Sequence, residues 1–204
     1  MGSEKTQARF ADTRQRIIDS ARNIILGKGY AAVGLNEILN SAGVPKGSFY
    51  HYFKSKDDFG RVLLEEYFDD YLVMINDCLG NQHVEPLQRL MNLFDYWLTT
   101  QTSDCLEEKC IVVKLCAEVS DLSEQMREVL EKGMKGVQAR IGQCIAEAVD
   151  TGQLKLEVTP EELARELYAM WMGATLINKV NRTGDSLQLC MAATKRRLNP
   201  TGIH

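Results

Sequence analysis

The sequence lacks a long apolar run and has few prolines, and both features restrict the class of protein to which it can belong. It has no apolar run of about 18 residues and no signal-peptide pattern, which argues against a transmembrane helix and predicts a cytoplasmic protein without a membrane partner. It has only four prolines, while 45% of its residues are hydrophobic. That composition favours an ordered, helix-rich chain with a sizeable core. We therefore expect an all-α fold.

Metal-binding patterns are also missing. The six cysteines include no Cys-x-x-Cys pair, and the three histidines, His51, His83 and His204, adjoin no cysteine. A structural zinc site needs such ligands at short, regular spacings. We therefore predict no metal and no cofactor, and we interpret the cysteines as thiols.

Basic residues are in the minority, since the formal net charge is -4. Their distribution is uneven. Up to Arg61 the chain carries ten lysines and arginines against six acidic residues, whereas the remainder carries fourteen against twenty-two. The N-terminal segment is therefore positive and the rest strongly negative, so any surface that binds nucleic acid is expected in the N-terminal segment.

The most specific pattern in the chain is a helix-turn-helix. A short helix is predicted over residues 35–42 and ends at Gly43, which tolerates the left-handed conformation of a tight turn. Pro45 presets the backbone for the first turn of a second short helix. On that helix Phe49 and Phe53 are four residues apart and are expected to point into a core.

The outward side of the second short helix has the chemistry of a DNA-contacting surface. Its candidate residues are Lys46, Gly47, Ser48, Tyr50, His51 and Tyr52. Cationic and hydroxyl groups suit phosphates, and phenol, hydroxyl and imidazole groups suit base edges. Lys56, at the start of the next predicted helix, is expected to contact a further phosphate.

This segment resembles the TetR family of bacterial repressors. The resemblance covers about residues 13–59, with Gly47, Tyr50, Phe53 and Lys56 at the family's spacing. It implies a repressor of transcription that binds a DNA operator. It also implies an N-terminal three-helix DNA-binding domain, residues 1–58, joined to a larger helical sensor and dimerisation domain, residues 59–204.

A predicted helix near the C-terminus gives a reason for dimerisation. Between Pro160 and Asn181 apolar residues occupy nearly every side, and such a helix must be covered all round. Pairing with a second copy through about residues 160–198 would cover it, as in TetR family dimers; a central helix within a monomer is the alternative. A twofold dimer reads two half-sites, so the operator is expected to be partly palindromic.

A second resemblance, over residues 109–124, is to the sensor region of electrophile-responsive TetR family members. It implies that Cys110 is the sensor thiol and that Lys179 matches a lysine that interacts with it. A helix predicted over residues 109–119 would place Lys114 on the same face as Cys110, where an ammonium group favours the reactive thiolate. Reactive electrophiles or oxidants are then the expected inducers.

Partners for an oxidised Cys110 stay open. Cys105 or Cys116 could resolve it as a disulfide. Lys179 lies among few other polar residues and is expected to be partly desolvated, which would make its amine nucleophilic. Alternatively, the Lys179 side chain extends to solvent.

Two other functions compete with electrophile sensing. A noncovalent apolar ligand would release the repressor if Trp97, Met134, Trp171 and Met172 lined a pocket, although core packing explains these residues better. A thiol enzyme such as a peroxidase would use Cys110 as its nucleophile. No recognisable pairing of nucleophile and base supports that enzyme, so we predict a regulator.

Overall fold

The structure is a computed structural model that describes the backbone of residues 2–105 and 109–198, and side chains from residue 12 onward within these ranges. Every regular element in these ranges is an α-helix, which confirms the predicted fold class. In chain order the helices are α1 (Gly2–Lys28), α2 (Leu35–Ala42), α3 (Lys46–Tyr52), α4 (Lys56–Leu79), α5 (Pro86–Thr102), α6 (Ile111–Val119), α7 (Glu124–Asp150), α8 (Pro160–Asn181) and α9 (Asp185–Arg197).

Two helix starts differ from the prediction. The sequence predicts that α1 follows Asp12 and Thr13, but the helix begins at Gly2, and no proline interrupts the residues between these two starts. Helix α6 begins at Ile111 and not at Lys109, because Cys110 has extended backbone angles and forms the N-cap. The polar residues 102–108 break the helical periodicity and predict a loop; α5 continues through Thr102, residues 103–105 are not helical, and residues 106–108 lie outside the described residues.

Backbone proximity divides the chain into two compact units. The first joins the residues up to Tyr67 with Lys109–Leu130, and the second holds the rest of the chain. Helix α6, which follows the predicted sensor cysteine, therefore belongs to the same compact unit as the helix-turn-helix. The boundary between functional domains at residue 58 stays a prediction.

The first unit is built around an aromatic cluster beneath α3. Phe49, Phe53 and Phe59 are buried, with ring centroids 5.0 Å apart for Phe49 and Phe53 and 5.0 Å apart for Phe53 and Phe59. The expectation that Phe49 and Phe53 point into a core is confirmed. Because these rings fix the inner side of α3, its exposed side chains lie on the opposite side.

The second unit is centred on two tryptophans. Trp171 is fully buried and stacks on Phe94 with ring centroids 5.2 Å apart. Its indole Nε1 donates to Thr194 Oγ1 at 2.9 Å, and Trp97 Nε1 donates to Thr175 Oγ1 at 3.1 Å. Since their polar atoms are satisfied internally, both tryptophans are core residues, and the suggestion that they line a ligand pocket is not supported.

The rest of the chain covers only part of the apolar surface of α8. Leu163, Leu167 and Trp171 are buried. Towards its C-terminal end the helix leaves Leu176 and Ile177 54% exposed and Val180 81% exposed, and Leu189 of α9 is 68% exposed. We call Leu176, Ile177, Val180 and Leu189 the apolar face. In the described ranges no helix is both long and apolar enough to cross a membrane.

Candidate DNA-binding surface and sensor helix

The turn between α2 and α3 has the geometry that its glycine and proline require. Gly43 adopts a left-handed conformation with φ of 64° and closes α2 through its N–H. Pro45, with φ of -62° and ψ of 145°, is the N-cap of α3. It therefore precedes the first helical turn, in which it was predicted, because its extended ψ leaves Lys46 as the first helical residue. The two helices are thus joined by a rigid three-residue turn.

The outer side of α3 carries the side chains predicted to contact DNA. Lys46, Gly47 and His51 are exposed, and Tyr50 is 58% exposed with its ring edge-on to Phe49. Ser48 and Tyr52 are half-buried. All six predicted residues are thus accessible on a surface supported from below by phenylalanines. Their contact with DNA stays a prediction.

Gly47 is not required by the packing of the protein itself. A Cβ added at this position would meet no atom within 4 Å. Alanine is the better helix former by about 0.5–1 kcal/mol. A glycine at the exposed start of this helix is suited to a close approach of another molecule's backbone.

We predict that Gly47→Ala will lower affinity for operator DNA while leaving the protein at least as stable. The added methyl group should stabilise α3 but separate its first turn from the DNA backbone. Fluorescence anisotropy with duplex DNA and thermal unfolding measure the two effects separately. Unchanged DNA affinity would contradict a close backbone approach at Gly47.

Lys56 is held by Tyr30 rather than extended into solvent. Its Nζ donates to Tyr30 O at 3.0 Å and lies 4.7 Å from the centroid of the Tyr30 ring, while Tyr30 Oη donates to Lys56 O at 2.6 Å. A phosphate contact by Lys56 remains a prediction, and its ammonium group would then have to be shared between the phosphate and Tyr30. Lys54 is an exposed cation two residues earlier, and the sequence analysis did not single it out.

The start of α4 is capped much as its sequence suggests. Ser55 Oγ accepts from the N–H of Asp58 at 3.0 Å. The Asp58 carboxylate accepts from the N–H of Lys54 at 2.9 Å. Hydrogen bonds from Arg61 and from Lys54 lower the pKa of Asp58, so this cap keeps its charge at neutral pH.

Cys110 is the N-cap of α6 and is half-buried. Tyr67 Oη donates to its Sγ at 3.7 Å. Lys114, which was expected to assist Cys110, instead donates from Nζ to Gly27 O at 3.3 Å. The carbonyl groups at the C-terminal end of α1 attract a cation, so this ammonium group is engaged at the end of α1.

Burial makes four of the other thiols weak nucleophiles at neutral pH. Desolvation raises the pKa of Cys78 and Cys116, that of Cys144 to about 11 and that of Cys190 to about 12. The thiolate is the reactive form. Of the two remaining thiols, Cys110 is half-buried and Cys105 is exposed.

Two of the three other predicted sensor residues, Cys116 and Lys179, are placed by the structure as follows. Cys116 lies six residues after Cys110, about 9 Å along the axis of α6. A disulfide between them would require the start of α6 to unwind, because bridged Cα atoms lie within about 7 Å. Lys179, in the last turn of α8, is exposed. In the single chain this position agrees with extension to solvent, and the desolvation of Lys179 and its interaction with Cys110 stay predictions.

A surface cleft in the second unit differs from the apolar pocket considered above. Its lining residues are Gln82, His83, Val84, Glu85, Pro86, Arg89, Glu147, Asp150 and Thr151. The buried Arg89 donates to Glu147 Oε2 at 2.7 Å and to the carbonyl oxygen of Leu79. The lining is mostly polar, so this cleft offers little to an apolar ligand. Among the described side chains no cluster of three potential metal ligands occurs.

Two family models match this chain. Residues 17–60 match the family described as bacterial regulatory proteins, tetR family. Residues 86–194 match the family described as tetracyclin repressor-like, C-terminal domain. The two matches include α3 and all of α6.

Individual relatives agree with the family matches over nearly the whole chain. The HTH-type transcriptional repressor NemR of Escherichia coli (strain K12) is 35% identical over 184 residues, which cover 90% of this chain and 92% of NemR. The HTH-type transcriptional repressor DhaR of Mycobacterium sp. (strain GP1) is 31% identical over 192 residues, which cover 92% of this chain and 93% of DhaR. A crystal structure of the reduced form of E. coli NemR superposes with a TM-score of 0.88 at 34% identity, covering 94% of this chain and 100% of that one.

Proposed function

The chain belongs to the TetR family of bacterial transcriptional regulators, and from this premise we propose that it is a homodimeric repressor released from its operator by modification of Cys110. The inducers would be reactive electrophiles or oxidants. The family and the relatives are regulators of transcription, so a thiol-dependent enzyme is discarded. Release by a noncovalent apolar ligand is the weaker alternative, because the two tryptophans that would line its pocket, Trp97 and Trp171, are core residues.

The outer side of α3 supports the proposal for operator binding. It presents Lys46, Tyr50 and His51 to solvent above buried phenylalanines, so the side chains project from a firm base. Lysine contacts with phosphates add affinity for any sequence, whereas contacts with base edges distinguish one sequence from another. The two kinds of contact can be separated by mutation.

We predict that Lys46→Ala will weaken binding to operator and to random DNA by similar factors. Losing one phosphate contact should reduce the slope of log K against log salt by about 0.9. Lys155→Ala removes an exposed lysine of the second unit and serves as the charge-matched control. His51→Ala should instead reduce the ratio of operator to random-DNA affinity. If His51 contacts a base, the loss of this discrimination corresponds to about 1–3 kcal/mol. Unchanged constants for both variants would contradict the docking of α3 on DNA.

The apolar face supports the proposed homodimer. Three exposed aliphatic side chains in the last two turns of α8, with Leu189 of α9, form a surface that is costly to leave in water. A second copy could cover it through the same residues, as a twofold interface requires. Two copies of α3 would then read two half-sites of a partly palindromic operator.

The position of Cys110 carries the sensor proposal. Its sulfur lies at the N-terminal end of α6, where a helix favours negative charge, and it is within a compact unit that also contains α3. Tyr67 Oη lies 3.7 Å from the sulfur, so a bulky adduct must displace the tyrosine or the start of α6. A solved structure of the relative NemR is described as a reduced form, which agrees with a role for thiol chemistry in that protein.

A covalent adduct is well suited to driving a switch. When the thiolate adds to the double bond of N-ethylmaleimide, a carbon–sulfur bond forms and the neighbouring carbon takes up a proton. The adduct persists after the reagent is removed, so the altered conformation is imposed for as long as the bond remains. An electrophoretic mobility shift with the promoter beside the protein's own gene, with and without N-ethylmaleimide, tests the proposal: the shifted band should disappear with the reagent. A band that persists with fully modified protein would reject it.

A further inference from the structure

Glu118 of α6 makes two hydrogen bonds to the chain just after α1. Its Oε2 accepts from the backbone N–H of Tyr30 at 3.0 Å, and its Oε1 accepts from that of Ala31 at 2.5 Å. The three residues belong to the first compact unit, although nearly 90 residues separate the partners in sequence. Both carboxylate oxygens are thus engaged by consecutive backbone groups.

The turn after α1 is shaped to receive this carboxylate. Gly29 has φ of +91°, a left-handed conformation that reverses the chain at the end of α1. A Cβ on Gly29 would lie 2.9 Å from Glu118 Oε2, so the missing side chain makes room for the carboxylate. Consecutive N–H groups that converge in this way form an anion-binding concavity. Hydrogen bonds from backbone N–H groups to a carboxylate are among the stronger ones in proteins.

Lys114 provides a second connection from the same side of α6. It is four residues before Glu118 and donates to Gly27 O at 3.3 Å. Helix α6 therefore offers a cation to a carbonyl group of α1 and an anion to the N–H groups that follow α1. The opposite signs define the register of α6 against the end of α1, because a shift by one turn would bring each charge to the wrong backbone group.

Tyr30 links α6 to the start of α4 through hydrogen bonds on both sides. On one side its N–H is held by Glu118, and on the other its carbonyl and hydroxyl groups bond to Lys56 at the start of α4. The packing around the Tyr30 hydroxyl group is tight, since a Cβ on Gly60 would lie 2.7 Å from Tyr30 Oη and 2.6 Å from Met126 Sδ. Tyr30 therefore connects α6 to the N-terminus of α4, which is separated from the end of α3 by three residues.

We infer that Glu118 is the positioning residue that holds the α1–α2 turn and the start of α4 in the arrangement that binds DNA. Cys110 and Glu118 are eight residues apart, about 12 Å along a helix, so movement of α6 at its N-cap reaches the carboxylate through a rigid element. This inference rests on the proposed function for the trigger at Cys110. The positioning role itself is independent of what moves α6.

Glu118→Gln tests the inference in the full-length protein. The amide retains one acceptor oxygen but places an NH₂ group against the other backbone N–H, so one of the two bonds is lost. Amide exchange at Tyr30 and Ala31 should become about 10- to 100-fold faster. Operator affinity of the unmodified variant should fall towards that of the wild-type protein treated with N-ethylmaleimide. The further loss on N-ethylmaleimide treatment should be at least about 10-fold smaller than in the wild type, within the usual range of coupling between sites.

Glu128→Gln is the matched control, because it removes the same charge from an exposed position in the same unit. It should leave amide exchange, operator affinity and release unchanged. The inference is overturned if Glu118→Gln keeps wild-type operator affinity, or if its loss of affinity is matched by the control. If N-ethylmaleimide fails to release the wild type, the trigger is wrong. In that event faster exchange and weaker operator binding in Glu118→Gln alone still support the positioning role, and their absence rejects it.

Discussion

The Cys110→Ser protein is expected to remain on its operator at concentrations of N-ethylmaleimide that release the wild type. Serine is close in size to cysteine but forms no thiolate, so the fold should be retained and the reaction lost. Near-complete switching between two states requires a difference of about 10⁴ in equilibrium, or roughly 5.5 kcal/mol. Loss of the trigger should therefore change the operator-bound fraction of treated protein from nearly zero to nearly one.

The other cysteines provide controls for this experiment. Burial raises the pKa of the Cys78 thiol, so Cys78→Ser should be released like the wild type. Cys105 is exposed, and Cys105→Ser distinguishes an accessory role from none: slower or less reversible release by hypochlorite would indicate a disulfide with Cys110. Release of Cys110→Ser at the wild-type concentration of N-ethylmaleimide would remove Cys110 from the mechanism.

The Val180→Glu protein is expected to be monomeric and to lose nearly all operator binding. Val180 is 81% exposed in the single chain, so the substitution should cost the monomer little. In the proposed twofold interface it would bury two carboxylates without partners, which costs several kcal/mol. Losing the second half-site contact removes an avidity gain of about 10²–10⁴. Sedimentation and anisotropy with operator DNA measure the two consequences.

Val73→Glu is the matched control for the dimer. Val73 is also a largely exposed valine, at 60%, but it lies on α4 and outside the apolar face. This variant should sediment as the wild type does and bind the operator with unchanged affinity. A Val180→Glu protein that still sediments as a dimer would place the interface elsewhere, and a wild type that is monomeric at micromolar concentration would reject the dimer.

Local signals in the sequence were sufficient for most of the fold. Helices α2 and α8 have the bounds that were predicted for them, because glycine or proline marks their ends and apolar residues recur at helical spacing. The outward position of Tyr50 followed from the burial of Phe49 and Phe53 on the same helix. The cap of α8 was available but missed: Thr159 and Glu162 form a capping box, whose Thr-x-x-Glu spacing precedes an apolar run.

Contacts between distant segments could not be predicted in this way. The partner of Lys114 was misjudged because helical spacing relates it to Cys110, whereas the folded chain brings Gly27 to its ammonium group. Glu118 lies within the second resemblance, but nothing in the sequence assigned it a role of its own, since an acidic residue on a short helix is ordinarily solvated. Its importance follows only from two N–H groups that tertiary structure turns towards it. Sequence patterns thus located the functional segments but not the connection between them.

The most direct test of sensing follows modification and release in one sample. Operator-bound protein is titrated with N-ethylmaleimide, the bound fraction is read by anisotropy, and the adduct at each cysteine is quantified by mass spectrometry of the same aliquots. If modification of Cys110 is the trigger, the released fraction will rise in proportion to the Cys110 adduct, regardless of the adducts at other cysteines. Full modification of Cys110 with the operator still bound would contradict it.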